Sequence, residues 1–288
     1  MAWRRINRHD PEATAIDWLV AVLQIVRNGR GRSRRNAIAF YRLYRALETG
    51  HTVALPEQST TTAVITTVGM LRQEWDREVN QIHLPQEGDH REIPVERFEW
   101  PEEPTAELEK AARLSLAHTG PVRVAEVVQG AKTRGRLDDP DFLAELESAG
   151  RSAANVADRE AIRSGRDLVD QASKGDRRVR GWARVTDDDP CHFCSMLASR
   201  GAVYRSQQLA GSAGDRESGD PEALKRYHPM CHCQVVPVYS GEAFLTPTAR
   251  SLYEDWKRVT RMKSGEEAMR AWRQHIERQR HERRNADN

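Results

Sequence analysis

Two short cysteine–histidine knuckles constrain this chain more than anything else in it. Cys191-His192-Phe193-Cys194 supplies the first, and His228-Pro229-Met230-Cys231-His232-Cys233 the second; together they hold all four cysteines. A turn between two cysteines lets both sulfurs face one ion, and a second knuckle completes a tetrahedral sphere. The fold must then bring residues far apart in sequence to one point. A structural zinc site follows, with Cys191, Cys194 and Cys233 as ligands and Cys231 and His228 competing for the fourth place. His192 and His232 adjoin cysteines and are expected to face away, as donors behind the ligands or in solvent. Disulfides are the competing reading and require an oxidising compartment. Plain buried thiols are the third. A thioredoxin-like role for the C-x-x-C lacks its βαβ context.

Around the knuckles the pattern is helical, and the expected fold is mainly α with a small zinc-stapled α+β module near residues 180–240. Asp10-Pro11 opens a first helix, with Ile16, Leu19, Val20, Leu23 and Val26 as its apolar stripe. Gly29-Arg30-Gly31 is expected to break it, and a second helix through Phe40, Tyr41 and Tyr44 runs to Gly50, giving a hairpin with a basic loop (Arg27, Arg30, Arg32, Arg34, Arg35). The β-branched run from Thr60 to Val68 reads as helix because it continues into Leu71 and Trp75. These residues, 1–84, form an N-terminal helical region. Prolines and acids over 85–104 suggest an irregular linker.

Residues 105–178 form a second helical region. It has a short helix over 106–118, another from Val122, a basic loop over Gly130–Gly135, and a longer helix from Asp141 toward Arg163 that Gly165 and Gly175 punctuate. The cysteine module covers 179–240. Gly181–Val185 is its first strand, Asp187-Asp188-Asp189-Pro190 a turn, Ser195–Arg200 a short helix, residues 207–221 a loop, and Val235–Tyr239 an edge strand interrupted by Pro237. A basic helical tail over 241–288 has Met269, Trp272 and Ile276 on one face.

Composition narrows the function. With 288 residues the chain can bury a sizeable core, and a net charge of +2 argues against whole-molecule affinity for nucleic acid. No stretch approaches the roughly 20 apolar residues of a membrane span. The Met1-Ala2-Trp3-Arg4-Arg5 start is not a secretory signal, so a cytosolic life with reduced thiols is expected. H-E-x-x-H, G-x-S-x-G and a phosphate-binding glycine loop are all missing from the sequence. A cysteine-rich, oversupplied ligand set points to a closed structural site rather than a catalytic one with an open position. For a Ser/His protease, Ser195, Ser199 and His228 are the first suspects.

The run from Trp182 through Asp187-Asp188-Asp189-Pro190 to Cys191-His192-Phe193-Cys194, Gly201 and Tyr204, followed by Tyr227-His228-Pro229-Met230-Cys231-His232-Cys233 and on to Tyr239, resembles tailed-phage minor head proteins. These are the Mu F-like head-morphogenesis family, in particular its actinobacteriophage branch, whose members carry the labels minor capsid protein or capsid maturation protease. The resemblance implies a virion protein that acts in capsid assembly near the portal, and is made in the host cytoplasm. Its implied partners are portal, major capsid and scaffold proteins, with packaged DNA as a further one. The alternative it implies is a maturation protease that cleaves scaffold or capsid subunits.

Overall fold

The computed structural model describes residues 6–7, 10–58, 64–79, 88–137, 139–205, 209–210 and 231–286. Its elements run α1 (Pro11–Thr49), β1 (Thr52–Val53), β2 (Val64–Thr67), α2 (Val68–Val79), β3 (Glu92–Glu96), α3 (Thr105–Ala117), α4 (Arg123–Arg134), α5 (Pro140–Gly175), β4 (Gly181–Val185), α6 (His192–Ser199), β5 (Gln234–Val238), α7 (Pro247–Val259) and α8 (Gly265–Ala286). The chain is mostly helical, with two small sheets among the described residues. It divides into two compact units. The first comprises Met1–Ala39, Glu74–Ile82 and Trp100–Leu168; the second Phe40–Gln73, His83–Glu99 and Val169–Asn288.

In the first unit the expected hairpin does not form. α1 continues through Gly29 and Gly31 as one 39-residue helix. Its start is as read: the Asp10 carboxylate accepts the Ala13 N–H at 3.1 Å. The glycines serve packing instead of breaking. A Cβ on Gly29 would lie 2.7 Å from the Ala161 Cβ of α5, and one on Gly165 would lie 2.5 Å from the Ser33 carbonyl oxygen. Each glycine therefore lets two helices approach more closely than any side chain would allow, which is why Gly165 also sits inside α5.

The buried face of α1 is shifted from the expected stripe. Trp18, Val22, Leu23 and Val26 pack with Ala112 and Leu116 of α3 and Ala153 and Val156 of α5. Ile16 and Val20 are instead 76% and 63% exposed. Trp18 decides the phase, because its ring removes more apolar surface from water than Ile16 could. Truncating it to alanine would cost ~3–5 kcal/mol.

The basic loop is helix too, and four of its five arginines have partners within the chain. Buried Arg30 donates from Nη2 to the Leu108 carbonyl at 2.7 Å and from Nε to the Glu160 carbonyl at 3.1 Å. Arg27 pairs with Glu109, Arg34 with the Pro101 carbonyl, and Arg35 with Glu78. Gly130–Arg134, expected as a loop, completes α4, which stops at Gly135 with φ +64°.

In the second unit, β3 lies at the centre of a three-stranded sheet, parallel to β1 and antiparallel to β2. Two expectations change here. Val64–Thr67 is strand rather than helix, because its β-branched residues find a partner in β3. The segment expected to be irregular supplies that partner. Pro94 is tolerated in a central strand since two-residue β1 pairs only Val95 and Glu96, so no residue of β1 stands opposite it.

The other sheet pairs β4 with β5 in antiparallel register from Gly181↔Val238 to Val185↔Gln234. Beyond it lies an apolar core of Met196, Leu197 and Ala198 from α6, Tyr204, Val235, Leu252, Trp272 and Ile276. The last two come from α8, which thereby packs its apolar face into this core. Trp272 is fully buried, and its Nε1 donates to the His192 carbonyl at 2.8 Å.

Candidate metal centre

Strand register places the two knuckles together. Val185 ends β4 opposite Gln234, the first residue of β5. The chain leaving β4 therefore enters the first knuckle at the same end of the ladder where the second knuckle delivers the chain to β5. Few residues separate either knuckle from its strand, so the sulfurs have little room to part.

Locally, the first knuckle is the start of a helix. Cys191 is extended (φ −69°, ψ 162°) and its Sγ accepts the Cys194 N–H at 3.4 Å, the role of an N-cap. Cys194 then sits in the first turn of α6, on the same side. The sulfurs of Cys194, Cys231 and Cys233 all lie within 4.8 Å of one another, and each of these residues is buried. Cys191 packs against the cluster with Phe193 and is half-buried.

The spacing speaks against a disulfide between the knuckles and is compatible with both remaining readings, a shared metal ion and buried thiols. Cys194 Sγ and Cys231 Sγ are 3.6 Å apart. A disulfide needs about 2.05 Å. Tetrahedral zinc with bonds of about 2.3 Å holds its sulfurs ~3.8 Å apart. All four cysteines are free thiols. The residues present could thus hold a metal ion: four soft donors from two knuckles, three of them gathered within 4.8 Å and the fourth packed against them. Thiol protons held between the sulfurs would be displaced by such an ion. The hydrogen bond with Cys191, then those with Cys231 and Cys233, together with burial, hold the Cys194 thiol far above the ordinary cysteine range. Cys233 is pushed up to about 12: its bond with Cys194 lowers it, but the bond with Cys231 and burial outweigh that.

The other sequence candidates fall elsewhere. His228 lies outside the described residues, as does most of the 207–221 loop. The His192 ring accepts from Arg273 Nε at 3.4 Å, on the side of α8. His232 is exposed, with Nδ1 3.8 Å from an Asp187 carboxylate oxygen. Ser195 and Ser199 are buried within α6, their hydroxyls donating to the Cys191 and Met196 carbonyls at 2.9 and 2.8 Å. Both hydroxyl protons are committed to backbone oxygens, and neither oxygen is open to a substrate. The Asp189 carboxylate takes Arg280 in a two-pronged contact at 2.8 Å and meets Arg283 and Arg284 at 3.5 and 3.4 Å. Its bond with Arg280 holds it below the usual carboxylate range.

Sequence reading missed Arg184. It lies on β4 at 1% exposure, and its Nη2 is 3.1 Å from Cys194 Sγ and 3.4 Å from Cys231 Sγ. A signal was present: an arginine inside an otherwise apolar strand that runs straight into a cysteine knuckle. Burial of such a cation requires compensating acceptors or charge nearby.

Comparison with known proteins bears on the whole module. Residues 98–259, more than half of the chain and including every cysteine, match a family model described as VG15 protein. The Gene 15 protein of Mycobacterium phage D29 is 34% identical over 106 residues, a match covering 29% of this chain and 38% of that protein. The Gene 15 protein of Mycobacterium phage L5 is 34% identical over 121 residues, covering 32% and 41%. The chain thus spans about two fifths of the length of the curated relatives it matches. No solved structure matches it.

Proposed function

The chain belongs to the VG15 family and is a phage protein, and from that premise we propose that it is a minor head protein whose four cysteines hold one structural zinc ion. It works in capsid assembly beside the portal, in contact with portal, major capsid and scaffold proteins, in the host cytoplasm during assembly and afterwards in the virion. The convergence of both knuckles at one end of the β4–β5 ladder carries this reading. When bound, zinc would cross-link the two knuckles and add its binding free energy to folding. Cys191, Cys194, Cys231 and Cys233 would be the ligands. Four cysteine ligands fill a tetrahedral sphere and leave no place for a reacting water. The module then acts as a rigid surface feature, backed by the Trp272 core, for contacts with other head proteins.

Ser195 and Ser199, the serines suspected for the alternative of a maturation protease, are engaged within α6, which lends that alternative no support. Four of the five arginines in the basic stretch of α1, Arg27, Arg30, Arg34 and Arg35, have partners within the chain, which lends no support to packaged DNA as a partner there. No helix among the described residues is long and apolar enough to cross a membrane.

Co-expression with the portal, scaffold and major capsid proteins of the same phage tests the reading. The expected result is co-purification with portal-containing particles, in a manner lost when Cys194 is replaced, with scaffold and capsid subunits at full length. Truncated subunits that appear only when this chain is present would support the protease instead. Failure to associate with any head protein would sink the assembly role.

A further inference from the structure

We propose that Arg184 is the charge partner of the metal centre, a positioning residue whose N–H···S bonds to Cys194 and Cys231 set how tightly the cysteines hold a divalent cation. The inference rests on the zinc reading above and adds to it a residue that no ligand motif predicts.

A guanidinium stays protonated at any pH a protein meets, so its charge at this depth is permanent. The same pocket would receive four thiolates around a dication, a sum of −2. A buried double negative charge is costly, and one adjacent cation halves it. The contacts are specific as well as electrostatic. One nitrogen, Nη2, reaches both sulfurs, one from each knuckle. Arg184 therefore ties the two halves of the site to each other from the strand side. Register fixes it there, because Arg184 pairs with Val235 two residues beyond Cys233.

Hydrogen bonds of this kind draw electron density from the bonded sulfurs. Cys194 and Cys231 become weaker nucleophiles and are held at fixed positions, as partners behind metal ligands commonly achieve. Cys191 is bonded instead by a backbone N–H and is the least buried of the four. An electrophile that strips the metal would accordingly begin at Cys191. Lysine at position 184 would keep the charge as a point source but lose the planar guanidinium geometry.

The test uses the full chain as wild type, R184K and R184Q, each checked for folding by circular dichroism. Zinc affinity is read by competition with a chelator, and the cobalt-loaded proteins give the energy of the sulfur-to-cobalt charge-transfer band. R184Q is expected to take up metal ~10–100-fold more weakly, and R184K to recover part of the loss. The band should move to lower energy in both variants, since sulfurs that lose the guanidinium's shared N–H contact give up electrons more readily. Should R184Q fail to fold, R184K against wild type decides. An unchanged affinity together with an unshifted band in R184K would overturn the assignment. A wild-type chain that binds neither zinc nor cobalt would instead remove the zinc reading itself. A loaded wild type matched by its variants removes only the role of Arg184.

Discussion

The second unit contains two buried polar assemblies that solve the same problem differently. In one, the Asp176 carboxylate collects its partners from the protein. Arg45 donates from Nε at 2.7 Å, the Tyr41 hydroxyl at 2.9 Å, the Tyr239 hydroxyl at 3.3 Å and the Arg178 N–H at 3.0 Å. Arg45 also reaches Glu96 at 2.5 Å. In the other, three cysteine sulfurs gather close enough to hold a metal ion, with Cys191 packed against them and one arginine in contact. The first is complete within the protein and vulnerable to acid; the second, on the proposed zinc reading, would be vulnerable to chelators. The internally paired carboxylate needs partners from α1, the segment after α5 and the residue after β5, whereas the sulfurs need only two knuckles and one strand pair.

The strongest attempt to break this contrast is Cys194→Ser. Zinc content is expected to fall from one per chain to background by elemental analysis. The chain would forfeit part of the ~10–16 kcal/mol that structural zinc supplies to small domains, while the Asp176 network stays intact.

Asp176→Asn comes next. It leaves Arg45 buried with one partner fewer and should cost ~3–5 kcal/mol in denaturant unfolding, with zinc content unchanged. Loss of zinc in this variant would show that the two assemblies are not separate.

Acid sharpens the same comparison. Burial raises the Asp176 pKa, but the hydrogen bonds from Arg45 and the Arg178 N–H outweigh that and hold it below the ordinary value. A depressed carboxylate contributes stability that is complete above its unfolded pKa, about 3.9, and disappears as the pH falls through the lower folded value. The stability gap between wild type and Asp176→Asn should therefore be full at neutral pH and close below about pH 4. A gap that widened on acidification would contradict the pairing.

Tyr239→Phe removes one hydroxyl from the network and is expected to cost only ~0.5–1.5 kcal/mol, read as a small shift in the denaturation midpoint.

What could be read from the sequence follows the same division. The cysteine cluster was legible because ligand chemistry writes itself as short spacing, and β4, α6, β5 and the apolar face of α8 were legible from local pattern. The Asp176 network was not, because Tyr41, Arg45, Glu96, Asp176 and Tyr239 carry no mutual spacing and meet only through tertiary structure. Glycine misled twice for one reason: Gly29 and Gly165 look like breakers, yet each is a point of close approach between helices. The strand at Val64–Thr67 was hidden because its partner Glu92–Glu96 contains a proline. Arg184 was overlooked because its partners are the cysteines themselves.

Elemental analysis of the full chain, purified under reducing conditions without added metal, bears most directly on the claim that the two knuckles share one ion. One zinc per chain, released with the appearance of four titratable thiols, is the predicted result. A metal-free chain that remains folded, with its four thiols already free to titrate or joined as disulfides, would contradict it.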